Sequence, residues 1–248
     1  MSFGDLYLVT PDLSTFDAAD VARLERELGS PMPSGYAEYM QRLGTGSLNS
    51  FVHVWPPDKI LADLAEFRSW VEVWSWDEPE SEVDPQRALE SFPIGDTHDG
   101  DLLCFHPDDP ETVIVLPRHH EIAYRAGPGL GGALEWIFAS DKLIRPEPIA
   151  SFHAHVPTHS VTFDATGVAI EAVREAVAAL DPRAWVHQYY HDDSVVNLPG
   201  MKGFVRLSEQ SADKVHAHLE YQSDVPEDGP NAVQLALSRA GMRYTTSW

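Results

Sequence analysis

Twelve histidines stand among 39 acidic residues, so metal ligation and acid–base catalysis are the first chemistries to weigh. Three histidine spacings matter. His153-x-His155-x₃-His159 falls in the middle of the chain. His187-x₃-His191 would share a helix face, but Trp185, Val186 and Tyr189 around it read as a strand. There, imidazoles four residues apart are too distant to grip one ion easily. His216-x-His218 is read onto a helix, where residues two apart diverge by about 200°. No H-E-x-x-H is present, and one cysteine cannot supply a C-x-x-C pair, so none of the spacings is a zinc signature. Thr97-His98-Asp99-Gly100-Asp101 lacks the alternating register and distal Glu of a calcium loop. A G-x-S-x-G elbow and a G-x₄-G-K-[ST] loop are both missing. Cys104 sits in an apolar run and reads as buried filler rather than a nucleophile. No catalytic residue, metal or cofactor is expected.

Charge points elsewhere. Seventeen basic residues against 39 acidic ones leave a net charge of −22. Such a surface disfavours DNA, RNA and anionic membranes and favours a cationic partner. The excess is uneven. Residues 1–145 hold 10 basic and 26 acidic residues, net −16, and residues 146–248 hold 7 and 13, net −6. Its densest stretch is Asp77-Glu78-Pro79-Glu80-Ser81-Glu82-Val83-Asp84, which has no base to pair with. It reads as an exposed loop. Asp96, Asp99 and Asp101 cluster in a turn further on.

Behind these residues stand the elements that position them. Ser14-x-x-Asp17 resembles a capping box opening a helix to Leu28. Pro31 and Pro33 then fix an extended approach, and Ser34 is placed to cap a second helix. Tyr36, Tyr39, Met40 and Leu43 share its buried face, and Gly44 ends it. Phe51–Trp55 reads as a strand broken by Pro56-Pro57. Asp58 then opens a third helix, running to about Trp76. Trp70 and Trp74 lie one turn apart on it, either in the core or on a partner surface. Residues 92–126 read as an antiparallel meander, and Ala133–Ala139 as a helix after a glycine-rich turn. Arg145-Pro146-Glu147-Pro148 is the expected boundary between a domain of residues 1–145 and one of 146–248. The second half reads β-α-β-β-α-(α)-β: Val161–Phe163, a helix Gly167–Leu180, Ala184–Tyr190, Gly203–Leu207, a helix capped by Ser211, another opened by Asn231, and Met242–Thr246. That order is ferredoxin-like.

The first half also resembles a known family. A helix ending in Leu-Gly, then Pro31-Met32-Pro33, the aromatic helix and a Gly-x-Gly exit into a strand resemble the SUKH superfamily (the Smi–Knr family); the chain departs at that exit, with Leu43-Gly44-Thr45-Gly46 where the family usually shows an Asn and paired glycines. Phe92-Pro93-Ile94-Gly95 followed by Gly100-Asp101-Leu102-Leu103-Cys104-Phe105 resembles the family's central strand pair. Gly131 to Ala139 resembles its closing helix. The likeness spans about residues 14–145 and stops there. It implies a fold of helices packed on a mainly antiparallel sheet, and an immunity-type protein that neutralises a bacterial toxin, commonly a nuclease.

The expectation is therefore an α+β protein whose SUKH-like domain blocks the basic cleft of a toxin nuclease by electrostatic occlusion, without chemistry. The expected contacts are Asp77, Glu78, Glu80, Glu82 and Asp84, then Asp96, Asp99 and Asp101, with Trp76 as an anchor. An N-terminus without a basic leader region points to the cytoplasm. A regulatory or scaffold module, a histidine-ligated metal-dependent enzyme, and a module for a small cationic ligand stand as alternatives.

Overall fold

The computed structural model describes residues 3, 6–74, 76–143, 148–149, 151–155, 158–190, 193–211 and 213–247. The structure combines helices with mainly antiparallel sheets, an α+β architecture. Two compact units are formed, one by residues 1–8 and 13–155, the other by 9–12 and 156–248. Arg145, Pro146 and Glu147 of the expected boundary lie outside the described residues, as do His191 and the side chain of His187.

In the first unit the chain runs β1 (Tyr7–Leu8), α1 (Ala18–Leu28), α2 (Tyr36–Arg42), β2 (Gly46–Leu48), β3 (Val52–Val54), α3 (Pro57–Val73), α4 (Pro85–Leu89), β4 (Phe92–Thr97), β5 (Leu102–His106), β6 (Asp109–Leu116), β7 (Tyr124–Pro128), α5 (Gly129–Ala139) and β8 (Ser151–Ala154). One sheet joins its strands in the order β1-β8-β2-β3-β4-β5-β6-β7. Alternation along β5 and β6 makes both faces apolar. Cys104, Ile114 and Leu116 pack with Phe67 and Val71 of α3 and Ala88 of α4. Leu103, Phe105, Val113 and Val115 point the other way, where α5 packs along β6 and β7. On that side Tyr39 meets Phe3 and Phe152 edge-on, and Phe51 meets Phe138.

Local rules explain the element ends, and three expectations are corrected. Asp17 rather than Ser14 caps α1: its carboxylate accepts from the Ala19 and Asp20 amides, and Asp20 answers the Asp17 amide. Ser14 instead lies beside the exit of α2. A Cβ at Gly44 would stand 1.8 Å from the Ser14 carbonyl, and φ there is +71°, so only glycine fits. Ser34 does not cap α2, which starts at Gly35; its amide and hydroxyl both donate to Glu111, at 3.0 and 2.6 Å. Pro56, not Asp58, takes the cap position of α3, with Pro57 in its first turn.

Two buried tyrosines on α2 make a natural contrast. Burial pushes both phenols well above their ordinary pKa. The Tyr36 hydroxyl donates to the Trp55 carbonyl at 2.8 Å, whereas the Tyr39 hydroxyl has no partner among the described residues. Tyr36→Phe should cost about 1 kcal/mol, and Tyr39→Phe should be neutral or stabilising, because it removes a desolvated orphan. Urea denaturation of the two variants tests this ordering.

The second unit runs β9 (Thr158–Thr166), α6 (Ile170–Ala178), β10 (Trp185–Tyr190), β11 (Asp193–Leu198), β12 (Gly203–Ser211), β13 (Lys214–Gln222), α7 (Asp228–Arg239) and β14 (Arg243–Ser247). Its sheet order is β10-β11-β12-β13-β9-β14, antiparallel throughout. Residues of α6 and α7 (Ile170, Val173, Val177, Val233, Leu237) share one core with the inward residues of the strands. Four consecutive strands lie between the helices, so the expected β-α-β-β-α-(α)-β order is corrected to β-α-β-β-β-β-α-β. The helix expected after Ser211 is strand β13. Val215 and Leu219 are four apart, a spacing that shares a face in a helix and also in a strand. Ala217, buried between them, decides for the strand. The leading residues 9–12 belong to this unit: Thr10 accepts from the Gln222 amide and Asp12 from Lys202.

Asp181 fastens the turn after α6. Burial works against its ionisation, yet the Arg183 and Gly200 amides, at 2.9 and 2.7 Å, and the Arg183 guanidinium hold its pKa below the ordinary carboxylate value. A depressed pKa stabilises the fold above the unfolded-state pKa, and that contribution is lost as pH falls through the folded value. Asp181→Asn should therefore lower stability by roughly 1–3 kcal/mol at neutral pH, with the difference from wild type shrinking in acid. Thermal melts of both proteins from neutral to acid pH check it.

Candidate functional site

The expected contact residues fall into three structural groups. The loop between α3 and α4 holds the first. Asp77, Glu78 and Glu80 are exposed, and none of their carboxylates has a hydrogen-bond or ion-pair partner among the described residues, although the Glu78 carbonyl accepts from the Ser81 amide at 2.9 Å. The loop's far half is pinned. The Ser81 hydroxyl donates to the Trp76 carbonyl and accepts from the Ala123 amide. Glu82 accepts from the Arg125 amide at 2.9 Å while its own amide donates to the Ala123 carbonyl. Asp84 accepts from the Gln86 amide and caps α4, which Pro85 starts. Glu82 and Asp84 therefore spend carboxylate oxygens on the fold, while Asp77, Glu78 and Glu80 present theirs to solvent.

The β4–β5 turn holds the second group. Asp96 is half-buried and accepts from the Trp55 indole at 2.9 Å, and its other oxygen lies 2.8 Å from His53 Nδ1. Asp99 is partly exposed at the tip. Asp101 is only 4% exposed; it accepts from the Thr97 hydroxyl at 2.6 Å and from the Arg118 amide at 2.9 Å. Asp101 is thus a turn-closing residue with no side chain on offer. Trp76 stands alone as the third. It is 1% exposed, and its indole donates to the Pro117 carbonyl at 3.0 Å. Its place is the core beneath α3, not the surface.

The histidines are scattered. His153 is on β8, His155 just beyond it and His159 on β9. His216 and His218, expected to diverge on a helix, share one face of β13, where each approaches its own carboxylate. His216 Nδ1 lies 2.9 Å from Asp164, and His218 Nε2 lies 3.6 Å from Glu220. Among the described residues no group of three or more His, Cys, Asp or Glu is gathered for a metal ion. Cys104 is fully buried, and that burial pushes its thiol up to about 12.

Sequence reasoning named Trp70 and Trp74 without placing them, and it missed what they form. Lys59, Asp63, Glu66 and Trp70 of α3, with Trp74 at its C-cap, line a cleft of about 500 Å³. Trp55 closes one end, and Gly100, Leu102 and Arg118 form the opposite wall. Trp70 and Trp74 stack at 5.5 Å, with Trp74 42% exposed. Lys59 places its ammonium 4.1 Å from the Trp55 ring centroid and pairs with Asp63 at 2.5 Å. The three- and four-residue spacing of these side chains was visible in the sequence. The opposite wall comes from the β4–β5 turn, the first residue of β5 and the segment just after β6, more than 25 residues away, and no local pattern announces it.

No described helix is long and apolar enough to cross a membrane. No curated protein matches the chain. The profile of the SMI1 / KNR4 family (SUKH-1) matches residues 15–127. SUKH proteins are known as immunity-type proteins of toxin systems, generally non-enzymatic, that bind toxin partners. By that match residues 15–127, within the N-terminal unit, are similar to the SUKH-1 family.

Proposed function

We propose that this protein neutralises a toxin with a basic active-site cleft, a nuclease, in the cytoplasm of the cell that makes it, by covering that cleft rather than by chemistry. The observation that carries this reading is the exposed trio Asp77, Glu78 and Glu80 beyond the end of α3, whose carboxylates have no partner among the described residues, in a segment similar to the SUKH-1 family. A nuclease must present cations to a phosphate backbone, and carboxylates with no internal partner are free to take the place of phosphates. Residues 1–145, at net −16, would steer such a partner in from a distance. We propose residues 1–145 as the toxin-binding domain and 146–248 as a second domain of separate role.

The test is affinity capture of the tagged protein from its own cells at low and then high salt. A basic protein with nuclease activity, retained one-to-one at low salt and released by high salt, supports the reading. Capture of a partner that salt does not release, or of one without nuclease activity, counts against it.

A further inference from the structure

The cleft beside α3 joins indole faces to a carboxylate that nothing in the described residues neutralises. We infer that it is the anchor pocket for an arginine side chain of the protein partner, an inference that rests on, and sharpens, the binding role proposed above.

Its chemistry is that of a guanidinium receptor. Glu66 and Trp70 lie four apart on α3, Trp74 follows at the C-cap with extended backbone, and all three line the cleft. Trp74 stacks on Trp70 and keeps its outer surface open. The planar guanidinium stacks on an indole while its edge donates two parallel hydrogen bonds to a carboxylate. The protein already uses one wall this way, since the Lys59 ammonium sits over Trp55. Lys59 and Asp63 neutralise each other. That leaves Glu66, exposed and without a partner among the described residues, as the pocket's available acceptor.

Arg118, on the opposite wall, raises the competing case of an anionic occupant. Its stem is packed on the β4–β5 turn, where a Cβ on Gly100 would come within 2.8 Å of Arg118 Cδ. A net charge of −16 over residues 1–145 opposes an anion approaching this surface and favours a cation. The surroundings have the order of a protein interface as well. Val73, 82% exposed, and Trp74 form an apolar lip, and Asp77, Glu78 and Glu80, their carboxylates unpaired among the described residues, follow as a charged rim. Tryptophan and arginine are the residues most enriched at the energetic centres of such interfaces.

The experiment follows the tryptophan indole N–H signals of the intact ¹⁵N-labelled protein during titration with N-acetyl-Gly-Arg-Gly-amide and with its Lys and Glu counterparts. Trp70 and Trp74 should shift saturably with the arginine peptide, less with lysine and not with glutamate. Glu66→Gln should weaken the response about tenfold, and Trp74→Ala should abolish it, with the buried Trp76 signal unmoved as the check on folding. Absence of a shift, an equal response to the glutamate peptide, or an unchanged Glu66→Gln titration would overturn the assignment. No toxin enters this measurement. Its failure would leave the toxin-binding role standing, and failure to find a toxin would leave a positive titration standing.

Discussion

Replacing Asp77, Glu78 and Glu80 together by Asn, Gln and Gln is expected to slow association with a basic nuclease partner by roughly 10- to 100-fold at low salt. Dissociation should change little by comparison. In the free protein these carboxylates point to solvent. None of them caps a helix, closes a turn or pairs with a base among the described residues, so the substitutions remove long-range attraction without touching the fold. Glu82 and Asp84, in the same run, are the controls. Glu82→Gln and Asp84→Asn each remove one charge from the same run and keep an oxygen that can accept from the Arg125 or Gln86 amide, so each should slow association less than the triple variant does. The triple variant should also flatten the dependence of the on-rate on salt, because screening acts on the same charges. Stopped-flow association across a salt series reads both quantities. An on-rate that the triple variant leaves unchanged would remove this loop from the binding surface.

Trp76→Ala is expected to destabilise the first unit by about 3–5 kcal/mol, enough to unfold a domain of ordinary stability. The side chain is among the largest that the fold buries completely. It packs with Phe67 and Val71 of α3 and with Cys104, Ile114 and Leu116 of the sheet, and it leans on Trp70 at 5.5 Å. Truncation leaves a cavity under α3 and strands the Pro117 carbonyl. Trp76→Phe should cost less, because it keeps most of the packing and loses the hydrogen bond. The Trp76 carbonyl also receives the Ser81 hydroxyl, so the acidic loop is anchored to this same residue. Partner binding should therefore fall with stability in Trp76→Ala and survive in Trp76→Phe. Denaturant melts give the first comparison, and titration of the folded fraction gives the second.

Much of the first unit was legible because its signals are local. Tyr36, Tyr39, Met40 and Leu43 repeat at helical spacing, and all are buried as that spacing requires. The proline entry and the Gly44 exit around them mark real ends. Caps were harder to read, since Ser14, Asp17, Ser34 and Asp58 are all competent cap residues. Which one serves depends on where the helix starts, and that start is set by packing. Glu111, far along the chain, claims Ser34. The second unit shows a different limit. Val215 and Leu219 satisfy two periods at once, and the outward histidines between them lack the strong polar alternation of an exposed strand. Strand β11 (Asp193–Leu198) escaped notice because Val195, Val196 and Leu198 are all buried, so its apolar residues do not alternate.

Site residues divided along the same line. Exposure of Asp77, Glu78 and Glu80 follows from their own composition, as five acids in eight residues have no way to pack. Burial of Asp101 and Trp76 depends on partners at Arg118 and Pro117, which only the folded sheet brings near. The cleft is the extreme case. One wall is mostly helix, at spacings that any periodicity count can see, and the other arrives from a turn and strand ends that the sequence places far off. Its polar groups, Glu66 and Arg118, carry no motif.

The central claim is neutralisation by occupation. Its most direct measurement is a titration of the captured basic partner's nuclease activity with this protein in vitro. The account predicts a linear fall to full inhibition at one equivalent at low salt, with activity recovered as salt dissociates the complex. Full nuclease activity in the presence of excess, demonstrably bound protein would contradict it.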